Sequence, residues 1–193
     1  MRKDKKYGKP PCLFKKEIGA EEYQMLLKNF QEKGDWSQAF YIYLDTSVEK
    51  EHAQLNGQKL RLRARIKNGA YSLELKSCQS EEHWEASQHI SLEDFCLLTK
   101  GVLPEGEIKR SVSLIKLSAP IQIIGLTNTI RKKVGLKEGV LVIDQTFCLS
   151  KVYYEIEFRS ERTMIPEIIQ KISEKLHLLM RGHQPKIEQL LVA

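Results

Sequence analysis

The stretch that most constrains this 193-residue chain is a strict alternation closed by a turn signal. Over residues 59–66 the apolar Leu60, Leu62, Ala64 and Ile66 alternate with Lys59, Arg61, Arg63 and Arg65. A period of two is the repeat of a β-strand, whose successive side chains point to opposite faces. Asn68-Gly69 follows, the dipeptide that suits the two positive-φ positions of a type I′ turn. Tyr71, Leu73 and Leu75 then alternate with Ser72, Glu74 and Lys76. The segment reads as a β-hairpin with one apolar face and one basic face, the latter carrying Arg61, Arg63 and Lys76.

Other short runs of aromatic and β-branched residues predict strands near 12–16, 40–45, 84–90, 114–117, 121–126, 129–134, 140–146 and 152–159. Tyr23, Leu26, Leu27 and Phe30 recur at helical spacing, which predicts a helix over 19–34 that ends at Gly34. Ser91 and Asp94 have the spacing of a capping box and predict a short helix behind them. A final long helix is expected with Pro166 in its first turn and Ile165, Ile168, Ile169, Ile172, Leu176 and Leu179 on its apolar face. The fold class is α+β, with about eight antiparallel strands and helices packed outside. Nothing splits the chain, so one domain over 11–193 is expected behind a basic tail, 1–10.

Several function classes drop out. No apolar run approaches the roughly 20 residues of a membrane-spanning helix, and the basic amino terminus has no apolar stretch of a secretory signal behind it. Cys12, Cys78, Cys96 and Cys148 are widely spaced, which suits free thiols in the cytoplasm better than zinc or disulfides. The net charge of +6 points toward anionic partners and is unevenly placed. Residues 2–16 carry seven Lys/Arg and one Asp, and the hairpin carries six basic residues and one acid, leaving the rest of the chain acidic. That placement favours a small polyanion over nucleic acid. On the strand at 152–159, Glu155 and Glu157 stand about 7 Å apart on one face, close enough to share a divalent ion. A solvated sheet face is the plainer reading of such alternation.

In order along the chain, Tyr43-Leu44-Asp45-Thr46, Leu60-Arg61-Leu62-Arg63 and Leu73-Glu74-Leu75-Lys76 resemble the Y-F-D-T, L-R-I-R and L-T-L-K succession of the CYTH superfamily, the triphosphate tunnel metalloenzymes. Trp84-Glu85-Ala86-Ser87-Gln88 resembles the L-E-T-N-Q element of its short bacterial branch. Thr129-Ile130-Arg131, Ile143-Asp144 and Tyr154-Glu155-Ile156-Glu157-Phe158 resemble its T-x-R and D … Y-E-L-E-Y segments. The resemblance implies an eight-stranded antiparallel closed β-barrel with a charged inward lining that binds a triphosphate group with Mg²⁺ or Mn²⁺. Carried over by position, Lys15, Arg61, Arg63, Lys76 and Arg131 contact phosphate oxygens. Glu155 and Glu157, with Asp144 and Glu85, form the acidic, metal-holding side.

The departures from the pattern fall on one side. The first strand of the family reads E-x-E-x-K; here Lys15 keeps the lysine, and Pro11 and Leu13 replace both glutamates. The R-x-E after T-x-R becomes Arg131-Lys132-Lys133, and Tyr153 replaces the aspartate of D-Y-E-L-E. The expected function is a divalent-metal-dependent phosphohydrolase acting on inorganic or organic triphosphate. The alternatives are a tunnel that binds triphosphate, nucleotide or polyphosphate with little or no turnover, and a class IV-like adenylate cyclase. A homodimer is left open.

Overall fold

The computed structural model describes residues 12–46, 55, 60–77, 85–115, 117, 119–149, 151–160 and 174. The basic tail, Trp84 and the expected final helix lie outside them. The strands are β1 (Cys12–Ile18), β2 (Asp35–Asp45), β3 (Leu60–Lys67), β4 (Ala70–Ser77), β5 (Glu85–Ile90), β6 (Gln122–Leu136), β7 (Gly139–Cys148) and β8 (Lys151–Ser160). The helices are α1 (Ala20–Asn29), α2 (Leu92–Leu98) and α3 (Glu107–Ser113). The eight strands form one sheet in the order β1-β8-β7-β6-β2-β3-β4-β5. The α+β class and the strand count therefore stand.

The closed barrel is corrected. β1 and β5 are the two ends of the hydrogen-bonded order, each paired on one side. Both are short, and each runs almost directly into a helix, α1 after Gly19 and α2 after Ser91. Short edges leading into helices limit how far a ladder can extend.

The hairpin is the one the sequence specifies. Lys67 pairs with Ala70, so Asn68 and Gly69 are the whole loop, at φ 51° and 74°. The capping box also forms, with Asp94 N–H donating to Ser91 Oγ and Ser91 N–H to the Asp94 carboxylate. Three expectations change. The segment at 114–117 is not a strand: Leu114 is the 88% exposed C-cap of α3, whose Ile108 and Val112 are buried four residues apart. The two strands expected over 121–134 are one continuous β6. The first helix ends at Asn29, with Phe30 as its C-cap. Gly34 instead turns the chain at φ 89°, where an added Cβ would collide with the Lys133 carbonyl.

By contact the chain divides into two compact units. The first comprises 1–37, 130–146 and 152–183. Its core gathers Ile18, Tyr23, Leu26, Val134, Leu141, Ile143, Ile156 and Phe158, so α1 covers the apolar face of β1, β8, β7 and the end of β6. The second comprises 38–129, 147–151 and 184–193. Its core gathers Leu44, Leu62, Ala64, Leu73 and Leu75 with Leu98, Ile108 and Val112 from α2 and α3. In each unit the helices take the apolar face of the strands, which leaves the opposite face to the charged alternation positions.

Candidate functional site

In the second unit the charged face is built by the hairpin. Register places Arg61 opposite Lys76, Arg63 opposite Glu74 and Arg65 opposite Ser72, with Tyr41 and Tyr43 of β2 beside Arg65 and Arg63. Glu74 is 1% exposed and bridges two arginines. Its Oε2 accepts from Arg63 Nε at 2.7 Å and lies 2.6 Å from the same guanidinium's terminal nitrogen, while Oε1 lies 3.0 Å from Arg65. Arg63 also stacks over the Tyr41 ring, 4.4 Å from its centroid. Burial alone would lower the Arg63 pKa; the neighbouring Tyr43 and Glu74 outweigh it and hold the guanidinium charged. Burial would likewise push the Glu74 carboxyl up, but Arg63, Lys76 and Arg65 hold it below its ordinary value.

This cluster has a cation surplus. Four basic side chains of the hairpin, Arg61, Arg63, Arg65 and Lys76, share a face with the hairpin's one carboxylate, Glu74, and with the position of Glu85 on β5. Buried donors are left over as well: among the described residues Arg61 Nε, Arg65 Nε and the Tyr43 hydroxyl have no hydrogen-bond partner. Arg65 and Tyr43 were not among the candidates read from the sequence. The alternation already put Arg65 on that face, but the family pattern ends two residues earlier.

In the first unit the charged side chains are paired with one another. β1 and β8 pair antiparallel with Lys15 opposite Glu157, and Lys15 Nζ reaches both Glu155 Oε1, at 3.0 Å, and Glu157 Oε2, at 3.4 Å. The other oxygen of Glu157 accepts from Arg159. Arg131 grips Asp144 with two parallel hydrogen bonds of 2.7 Å, the fork geometry of guanidinium on carboxylate. Burial opposes ionisation of Glu157; its bond to Arg159 and the charges of Lys15, Arg159 and Arg131 prevail and lower its pKa. Tyr23, beneath this face, shifts the other way through burial, then Tyr154 and Asp144. The structure thus brings Lys15, Glu155 and Glu157 together, and Arg131 with Asp144. Glu85 is placed by its backbone alone, opposite Lys76.

Two quoted motif residues turn out to hold the scaffold. Asp45, 1% exposed, accepts from the backbone N–H groups of Thr46 and Leu55, tying the end of β2 to the segment that follows. Gln88 accepts from Ile108 N–H and donates to the Glu105 carbonyl, so it organises the start of α3.

A divalent ion has a limited donor set here. Among the described residues no group of three His, Cys, Asp or Glu side chains could hold a metal. Glu155 and Glu157 offer two buried hard-oxygen donors on one face. That suffices for an ion such as Mg²⁺, which keeps waters and binds through one or two carboxylates plus substrate phosphates. It does not make a free-standing protein cage.

A profile of the CYTH domain matches residues 16–190. The chain belongs to the CYTH domain family. A Bacillus subtilis (strain 168) protein named "Putative triphosphatase YjbK" is 28% identical over 156 residues, 76% of this chain and 75% of that one. Among solved structures, a Bacillus halodurans protein described as a "putative adenylate cyclase" superimposes with a TM-score of 0.80. It is 22% identical, with 94% of this chain and 97% of that chain covered. The Hippeastrum protein HpAC1, described as a "putative adenylyl cyclase" with a dominant triphosphatase activity, gives 0.72 at 17% identity over 89% and 91%. At these identities the two structures speak for the CYTH fold. Triphosphate tunnel metalloenzymes of the family generally use divalent metals. No helix among the described residues is long and apolar enough to cross a membrane.

Proposed function

We propose that this protein binds the triphosphate group of a small molecule and hydrolyses its terminal phosphoanhydride bond with the help of Mg²⁺ or Mn²⁺. The observation that carries the reading is the hairpin's cation surplus: four basic side chains on one strand pair, with one buried carboxylate among them. Arginine forks match phosphate oxygens, and partly buried cations exert their charge with little solvent screening. Arg61, Arg63 and Lys76 take phosphate oxygens, with Arg65 beside them. The family resemblance also assigns phosphate contacts to Lys15 and Arg131, and Glu155 and Glu157 beside Lys15 are the residues that would hold the ion. Asp144 orients Arg131, and Glu85 remains a candidate on the acidic side. When bound, the ion supplies Lewis-acid stabilisation of phosphoryl charge and lowers the pKa of a water. The guanidinium and ammonium groups orient the phosphate chain and offset the charge that develops on it.

A second reading is favoured by a specific observation. By the resemblance, Pro11 and Leu13 take the places of the family's first-strand glutamates, and no cluster of three metal-ligating side chains forms among the described residues. A protein so equipped binds a triphosphate, nucleotide or polyphosphate and turns it over weakly or not at all.

Phosphate release from inorganic triphosphate, thiamine triphosphate and ATP, with Mg²⁺ or Mn²⁺, separates the two. Release is expected, and Glu155→Gln or Glu157→Gln should lower it by at least about 100-fold. Persistence of activity in both variants would remove them from metal binding. Calorimetric binding of tripolyphosphate without release selects the second reading; neither binding nor release overturns both. Cyclic AMP formed from ATP would point to a cyclase instead.

A further inference from the structure

The two carboxylates that suit a divalent ion are already held, and by one ammonium group. Lys15 Nζ lies 3.0 Å from Glu155 Oε1 and 3.4 Å from Glu157 Oε2, and Arg159 donates to the remaining oxygen of Glu157. The carboxylate side chains are 8% and 2% exposed, whereas that of Lys15 is 32% exposed. Lys15 is thus far more open to water and ligands than the two carboxylates it holds.

Charge counting explains why this matters in this chain. Where the family pattern carries two more glutamates ahead of the lysine, this sequence has Pro11 and Leu13, so fewer carboxylates accompany Lys15 to attract a bare cation. Lys15 and Arg159 pair with Glu155 and Glu157, and Glu17 stands opposite Glu155 on the same face. A divalent ion arriving alone must displace the Lys15 ammonium and then sit beside it in a weakly screened setting, where like charges repel strongly. A phosphate chain reverses the balance. It gives Lys15 an anionic partner, and it brings oxygens to complete the ion's coordination.

We propose that Lys15 is a latch: its ammonium closes Glu155 and Glu157 to a bare divalent ion and releases them when it transfers to a phosphate oxygen. Ion and triphosphate then bind with positive coupling, each raising the affinity of the other by the same factor. The latch rests on the phosphate-binding function proposed above, and deepens it by ordering the two ligands.

The test is Mn²⁺ titration of the full chain in the absence of phosphate, followed by calorimetry or electron paramagnetic resonance. Lys15→Met keeps the apolar stem and removes the charge. It should bind Mn²⁺ at least about tenfold more tightly than the wild type. Mn²⁺ should also raise the Tm of Lys15→Met and leave that of the wild type unchanged. Adding Glu155→Gln and Glu157→Gln to Lys15→Met should cancel both effects. Lys15→Gln is the second variant and should behave in the same direction if Lys15→Met folds poorly. Equal Mn²⁺ affinity in wild type and folded Lys15 variants overturns the latch. So does a wild type whose tripolyphosphate affinity is the same with Mn²⁺ as with EDTA. Failure of the wild type to bind tripolyphosphate under either condition overturns the phosphate-binding reading. The phosphate-free titration still decides separately whether Lys15 bars the ion.

Discussion

The hairpin β3–β4 and the β1–β8 pair solve the same problem with opposite accounting. Both are antiparallel ladders with an apolar face under helices and a charged face opposite. In the hairpin, Glu74 is the lone carboxylate among four cations, so the strand pair itself keeps a net positive charge that attracts an anion. On β1–β8, Lys15 and Arg159 are paired with Glu155 and Glu157, and Glu17 adds a third carboxylate opposite Glu155, so no cation surplus remains for an anion until a ligand rearranges the pairs. A surplus face is ready to bind, whereas a face whose charges are paired with one another must first be opened. That difference, more than the number of charged residues, separates the roles proposed for the two.

The comparison breaks most readily at Arg63. Arg63→Ala removes a phosphate donor and also the closest partner of a buried carboxylate. It should weaken tripolyphosphate binding roughly 100-fold by calorimetry and cost about 2–3 kcal/mol of stability by urea unfolding, since Arg65 still pairs with Glu74. Loss of stability with unchanged binding would make the hairpin cluster purely structural. Arg61→Ala is the cleaner probe, because the Arg61 Nε has no partner among the described residues. Affinity should fall about tenfold with a stability change within about 0.5 kcal/mol. A large drop in stability instead would mean that the surplus is spent inside the fold.

Glu74→Gln acts in the other direction. Removing the one carboxylate enlarges the surplus, so tripolyphosphate affinity should rise severalfold while the Tm falls. The pH dependence follows from the same pairing. Glu74 and Glu157 both have folded-state pKa values below the ordinary carboxylate value, so they bind protons less readily folded than unfolded. Their stabilisation is complete above about pH 5 and is lost as pH falls through the ordinary carboxylate range to the depressed values. Thermal melts from pH 7 to pH 3 should show this acid limb, and Glu74→Gln should shrink it without abolishing it. A pH-independent Tm would contradict both pairings. The smallest effect is expected at Gly69, whose added Cβ meets nothing within 4 Å, so only its φ of 74° is strained. Gly69→Ala should cost about 1 kcal/mol and leave binding unchanged.

Much of this was legible residue by residue. The hairpin and its turn followed from period two and Asn68-Gly69 because both signals are local: a side-chain parity and a pair of backbone dihedrals. The α2 start followed from Ser91 and Asp94 for the same reason. Residues 114–117 misled because an apolar run that short fits strand and helix alike; burial of Ile108 and Val112, which depends on the packing of distant residues, decided for α3. Gln88 belonged to a family motif, yet its bonds to Ile108 and Glu105 could not be read from its neighbours in sequence.

The sequence by itself determined most of the strands, the parity that segregates charge from core, and, through the order of its motifs, membership in the CYTH family. Only the tertiary structure decided which charges meet. Lys15 and Glu155 are 140 residues apart, Arg131 and Asp144 thirteen, and Arg63 and Glu74 eleven. Alternation says that a side chain is on a face, but pairing requires the register of the neighbouring strand. That register is fixed by burying the apolar face, since a one-residue slip would carry every leucine into water and every charge into the core.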